Sequence, residues 1–157
     1  MSDERVNVTP VVCSKAFETK LNAATLVFYT SNTRSASGIL HEQTKNSTDS
    51  QKVMSLRRMA SLAYDFKHAI EAGNFRELGE LLKENWALKK TLANGISNDL
   101  IDTIYQEGIG AGAIGGKLLG AGSGGFMMFL AEPRYHDAIA SKLSQFRKTQ
   151  FNIEKKG

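Results

Sequence analysis

The spacing of apolar positions changes several times along this chain, and each change predicts a different element. Val6, Val8, Val11 and Val12 sit loosely around Pro10 and read as an edge strand, because proline cannot donate to a central ladder. Leu26-Val27-Phe28-Tyr29-Thr30 is continuous and β-rich, the pattern of a buried strand. Residues 31–35 form a polar loop, residues 36–43 regain helical composition, and residues 46–50 are a cluster of turn formers. From Lys52 the period becomes helical, with Val53, Leu56, Ala60, Ala63, Phe66 and Ile70 drawing one stripe. Gly73 closes that helix and Asn74 caps the next, whose inner face holds Phe75, Leu78, Leu82 and Trp86 or Leu88. So short a joint predicts an antiparallel pair. After Asn94-Gly95, Ser97 is the expected cap of a further helix, with Asp99 in its first turn and Leu100, Ile101, Ile104 and Tyr105 facing inward.

The last third changes character. Glycines stand at 108, 110, 112, 115, 116, 120, 122, 124 and 125, interrupted by Lys117-Leu118-Leu119 and followed by the apolar run 126–131. This predicts a hairpin: strand, glycine loop, strand. Glu132-Pro133 then starts a helix striped by Tyr135, Ile139, Leu143 and Phe146, and residues 150–153 make a closing strand. A strand, helices, a hairpin, a helix and a last strand imply an α+β fold with helices packed on one sheet face. Its most economical form is the ferredoxin-like split βαβ.

Composition narrows the class. At 157 residues the chain suits a single domain, 1–157, with one core. The net charge of +4 is spread over scattered residues and solvated helix faces, which argues against a nucleic-acid partner. A single cysteine, Cys13, excludes an internal disulfide framework and fits a cytoplasmic setting. No apolar run is long enough to span a membrane, and the N-terminus lacks the order of a signal peptide.

The most informative stretch is Gly120-Ala121-Gly122-Ser123-Gly124-Gly125. Glycines allow tight turns and close backbone approach, and successive free amides make an anion nest. Two GxGxxG matches, from Gly110 and from Gly120, are weak; the second leads into a strand, whereas a dinucleotide fingerprint must open a helix. The Walker pattern fails because Leu118 follows Gly116-Lys117. His41, His68 and His136 lie far apart and suggest no metal site, and no residue is assigned a catalytic role.

The run Gly115-Gly116-Lys117-Leu118-Leu119-Gly120-Ala121-Gly122-Ser123-Gly124-Gly125-Phe126 closely resembles the third, C-terminal motif of the GHMP kinases. Residues 26–35 (LVFYTSNTRS) resemble that family's strand and TG-x-x-R loop, and residues 99–105 the helix before motif three. The resemblance covers most of the chain. It is greatest to bacterial glycero-manno-heptose phosphate kinases, in residues 29–37, in Trp86-Ala87-Leu88-Lys89-Lys90 and in the glycine run. Asn32 and Ser123 stand where glycine is commonest. The family's N-terminal phosphate loop has no counterpart here. The resemblance therefore implies the C-terminal part of a sugar-phosphate kinase whose partner is an N-terminal domain, with ATP and Mg2+ as cofactors of the intact enzyme. It implies that residues 120–125 lie near the nucleotide phosphates. Thr30, Thr33, Arg34 and Ser35 would border the sugar phosphate, with Arg34 suited to a bidentate grip or to a loop salt bridge. By the same resemblance the chain alone is expected to be inactive and to self-associate through an exposed interface. The competing expectation is an independent ferredoxin-like module for a small ligand or RNA. Against RNA, the strand from Phe126 lacks the basic residue and the middle aromatic that would stack bases.

Overall fold

The computed structural model describes residues 8–30, 50–120 and 122–153. Four strands, β1 (Thr25–Tyr29), β2 (Gly115–Leu118), β3 (Phe126–Leu130) and β4 (Arg147–Thr149), form one antiparallel sheet in the order β2-β3-β1-β4. That order is the ferredoxin-like one. Helix α1 (Lys15–Ala24) precedes β1, and α2 (Ser50–Glu71), α3 (Phe75–Lys90) and α4 (Asp99–Gly110) lie between β1 and β2. A short 3-10 turn (Pro133–Tyr135) leads into α5 (His136–Lys142) between β3 and β4.

Alternation along the strands splits the core in two. Leu26, Phe28, Leu118, Met127 and Phe129 join Ile101 and Ile104 of α4 and Ile139 of α5. These two helices of the ferredoxin-like unit share one sheet face, but the expectation that the helices pack on a single face does not extend to α1, α2 and α3. Met128 and Leu130 turn the other way, into a cluster with Phe17, Leu62, Ala69, Phe75, Leu78 and Leu82. Here α3, paired with α2, closes in along β2. The approach is so close that a Cβ on Gly115 would lie 1.9 Å from the Gly79 carbonyl oxygen, so helix and strand meet backbone to backbone.

Several expectations shift. The described part of the expected N-terminal edge strand, residues 8–12, is not a strand, and Val8 and Val12 are exposed. Both edges of β1 are taken by β3 and β4, so the strand after α1 is internal to the sheet, and the exposed segment before α1 adds no strand to it. A helix not expected from the pattern follows, capped by Ser14, whose hydroxyl accepts from the Phe17 amide at 3.2 Å. In α2 the buried residues are Leu62 and Ala69, supported by Met59, Phe66 and Ile70, while Leu56 is exposed. The expected stripe thus holds at Phe66 and Ile70, while its earlier half departs from the buried face. Asn98, and not Ser97, caps α4 by accepting from Ile101 N at 3.0 Å; Ser97 donates instead to Asp102. The last strand is Arg147–Thr149, ahead of the expected residues 150–153. An edge strand tolerates polar residues, and beyond it the chain leaves the sheet, with Ile153 N donating to Asn22 Oδ1 at 2.8 Å. The expected loop 31–35, helix 36–43 and turn residues 46–49 lie outside the described residues. No helix among the described residues is long and apolar enough to cross a membrane.

Candidate phosphate-facing site

The glycine loop closes the β2–β3 hairpin at one end of the sheet, as the pattern predicts. Its shape depends on backbone few residues adopt: φ is +84° at Gly120, +135° at Gly122, +63° at Ser123, +158° at Gly124 and +107° at Gly125. Gly122 is the position where only glycine fits, because a Cβ there would lie 2.8 Å from Ile96 Cα. Ser123 holds its positive φ through its neighbours. It is buried, its amide donates to Ile96 O at 3.0 Å, and its hydroxyl donates to the Gly95 carbonyl. Asn98 Nδ2 donates to Ser123 O at 3.4 Å, so the residue that caps α4 also braces the loop.

On its other flank the loop is bolted to β1. Thr30 is buried, and both its amide (2.8 Å) and its hydroxyl (3.1 Å) donate to Gly125 O. The structure therefore places Thr30, expected at the sugar phosphate, as a brace of the glycine loop. Thr33, Arg34, Ser35 and Ala121 lie outside the described residues. With both flanks held, the amides of Gly122, Gly124 and Gly125 take no acceptor among the described residues. A run of fixed, unsatisfied amides is a preorganised site for anionic oxygen.

Two lysines that sequence reasoning did not select border this loop. Lys89, at the end of α3, donates to the Gly120 carbonyl. Lys117, on β2, donates to Asn85 Oδ1 at 2.7 Å, one helical turn before Lys89. Burial, and then the Lys117 charge, lower the Lys89 ammonium to about 8; burial also lowers Lys117. The only signal for them was their place inside the quoted motifs. Tyr29 and Phe126 pair their rings at 5.2 Å at the same sheet end, beside Arg147 and Thr149. Among the described residues no cluster of three or more His, Cys, Asp or Glu could hold a metal ion.

Comparison with known proteins gives the family. Residues 66–148 match the family model described as GHMP kinases C terminal. The D-glycero-alpha-D-manno-heptose 7-phosphate kinase of Campylobacter jejuni is 30% identical over 99% of this chain and 47% of its own length. The L-fucokinase/L-fucose-1-P guanylyltransferase of Bacteroides fragilis is 34% identical over 68% of this chain and 11% of its own. The crystal structure of L. major mevalonate kinase in complex with R-mevalonate superposes with a TM-score of 0.67. It is 24% identical over 77% of this chain and 37% of that one, a likeness of fold. The chain thus spans about half the length of the first relative, or less in the others.

Proposed function

The chain belongs to the GHMP kinase family, as its C-terminal domain, and from that membership we propose that it is the C-terminal portion of an ATP-dependent sugar-phosphate kinase acting on a heptose phosphate. The observation that carries this reading is the glycine loop, held on both flanks with its amides turned free, in a chain akin to a heptose-phosphate kinase.

In this reading ATP supplies the phosphoryl group, and the chain supplies the surface against which it moves. The amides of Gly122, Gly124 and Gly125 donate to phosphate oxygens as charge builds on them. Fixed donors of this kind cost no reorganisation during the reaction. Thr30 and Asn98 hold the loop in place, and Arg34, Thr33 and Ser35 border the substrate's own phosphate. The magnesium ligands, the main nucleotide loop and the group that receives the hydroxyl proton belong to an N-terminal domain of the same enzyme. On this proposal the chain by itself turns nothing over.

The test joins this chain to an N-terminal GHMP kinase domain and follows ATP-dependent phosphorylation of heptose 7-phosphate, heptose 1-phosphate and fucose. Turnover of a heptose phosphate, lost on Gly122→Asp, is expected. Turnover by the chain alone, or full activity of the Gly122→Asp enzyme, would overturn the reading.

A further inference from the structure

We propose that Lys89 and Lys117 form a cationic subsite for a phosphate group beside the glycine loop. This deepens the function proposed above and rests on it for which molecule carries the phosphate.

The fold creates this pair; the sequence does not. Lys117 is in register with Met128 on the sheet face that α3 covers, and Asn85 and Lys89 stand one turn apart on that helix. Both lysines are half-buried, and among the described residues neither has a carboxylate partner. Their neighbour Lys90 shows the ordinary solution: it reaches Asp102 at 3.0 Å and lies over the Trp86 ring.

Lys89 and Lys117 are each met by one neutral oxygen, of Gly120 and Asn85. An ammonium carries three donors, so each keeps capacity for another acceptor. Two like charges drawn partly out of water, without a counter-charge, disfavour their own protonated forms. A phosphate dianion between them reverses that balance by favouring the charged form of both lysines. The Gly120 contact also fixes where Lys89 points: at the mouth of the loop whose amides are free. Ammonium groups and amides then converge on one anion, as charge-assisted and backbone donors.

The experiment uses the full 157-residue chain with isotope-labelled lysine side chains and glycine amides. Inorganic phosphate and pyrophosphate are titrated in while NMR follows Lys89, Lys117, Gly122, Gly124 and Gly125. Expected are shifts at both lysines together with the glycine amides, and a rise in the pH at which Lys89 titrates. Lys89→Gln and Lys117→Gln should each weaken pyrophosphate about tenfold or more, and Lys89→Arg should retain most of the affinity. Parallel titrations with ADP and with a hexose 6-phosphate assign the subsite to nucleotide or to substrate; a response to either supports it. Glycine shifts without lysine shifts, or glutamine variants that bind like the parent, overturn the proposal and leave the kinase reading standing. Silence at lysines and glycines alike overturns the proposal and removes the phosphate-facing role of the loop as well.

Discussion

Gly122→Ala tests whether the loop's shape is imposed by its contact with Ile96 or merely allowed by flexible glycine. At Gly122 the backbone has φ +135°, and a Cβ would lie 2.8 Å from Ile96 Cα and 3.0 Å from Ile96 O. Both obstacles are backbone atoms of a fully buried residue, so neither can swing aside. Gly120→Ala is the internal control: φ is +84°, yet no atom lies within 4 Å of the added methyl. The control isolates conformational strain, about 1–2 kcal/mol for a side chain in left-handed backbone. Gly122→Ala adds overpacking, typically about 1–3 kcal/mol. The two variants should therefore differ by about 1–3 kcal/mol, roughly 2–12 °C in Tm for a chain of this size. Urea and thermal unfolding by circular dichroism measure the difference. Amide exchange at Ser123, whose N–H donates to Ile96 O, shows whether the loop has lifted away. If the two variants agree within about 0.5 kcal/mol and Ser123 stays protected, the Ile96 contact does not shape the loop.

Asn74→Ala removes the α3 cap that accepts from Glu77 N at 3.3 Å. It should cost about 1 kcal/mol, a fall of roughly 2–4 °C in Tm by calorimetry. Lys89 is lowered from 10.5 to about 8 on folding, so between those values the unfolded chain binds more protons. Stability should rise from about pH 8 towards 10.5, and Lys89→Met should flatten that rise in urea titrations taken across the window. Arg34→Ala, in the joined two-domain enzyme, should lower kcat/KM for the phosphorylated sugar by about 30- to 1,000-fold, from an expected loss of about 2–4 kcal/mol. A change confined to the KM for ATP would remove Arg34 from the substrate phosphate.

Much of the fold was legible because it is written in local patterns. The β1 strand is a continuous apolar run, the α2–α3 joint carries both a glycine stop and an asparagine cap, and the β2–β3 hairpin is announced by its glycines. Periodicity, capping and turn chemistry act over a few residues, so the chain order alone states them. Two of the failures share one cause. The Arg147–Thr149 strand was misplaced because its polar side chains are tolerated only at a sheet edge, and edge position is a property of the assembled sheet. The expected stripe of α2 held at Phe66 and Ile70 but missed Met59, Leu62 and Ala69, because Leu56, Ala60 and Ala63 satisfy helical spacing as well as they do. Only the partner helix selects between them.

At the candidate site the division is the same. The sequence by itself determined that a glycine loop closes the β2–β3 hairpin, since composition sets which backbone angles are open to it. Tertiary structure decided the rest. It spent the Thr30 hydroxyl on Gly125, used the Ser123 hydroxyl to anchor the loop to Gly95, and pressed Gly122 against Ile96. It also brought together Lys89 and Lys117, 28 positions apart in the chain. No local pattern encodes that meeting, because it arises from helix α3 lying along strand β2 where Gly79 and Gly115 allow backbone to touch backbone.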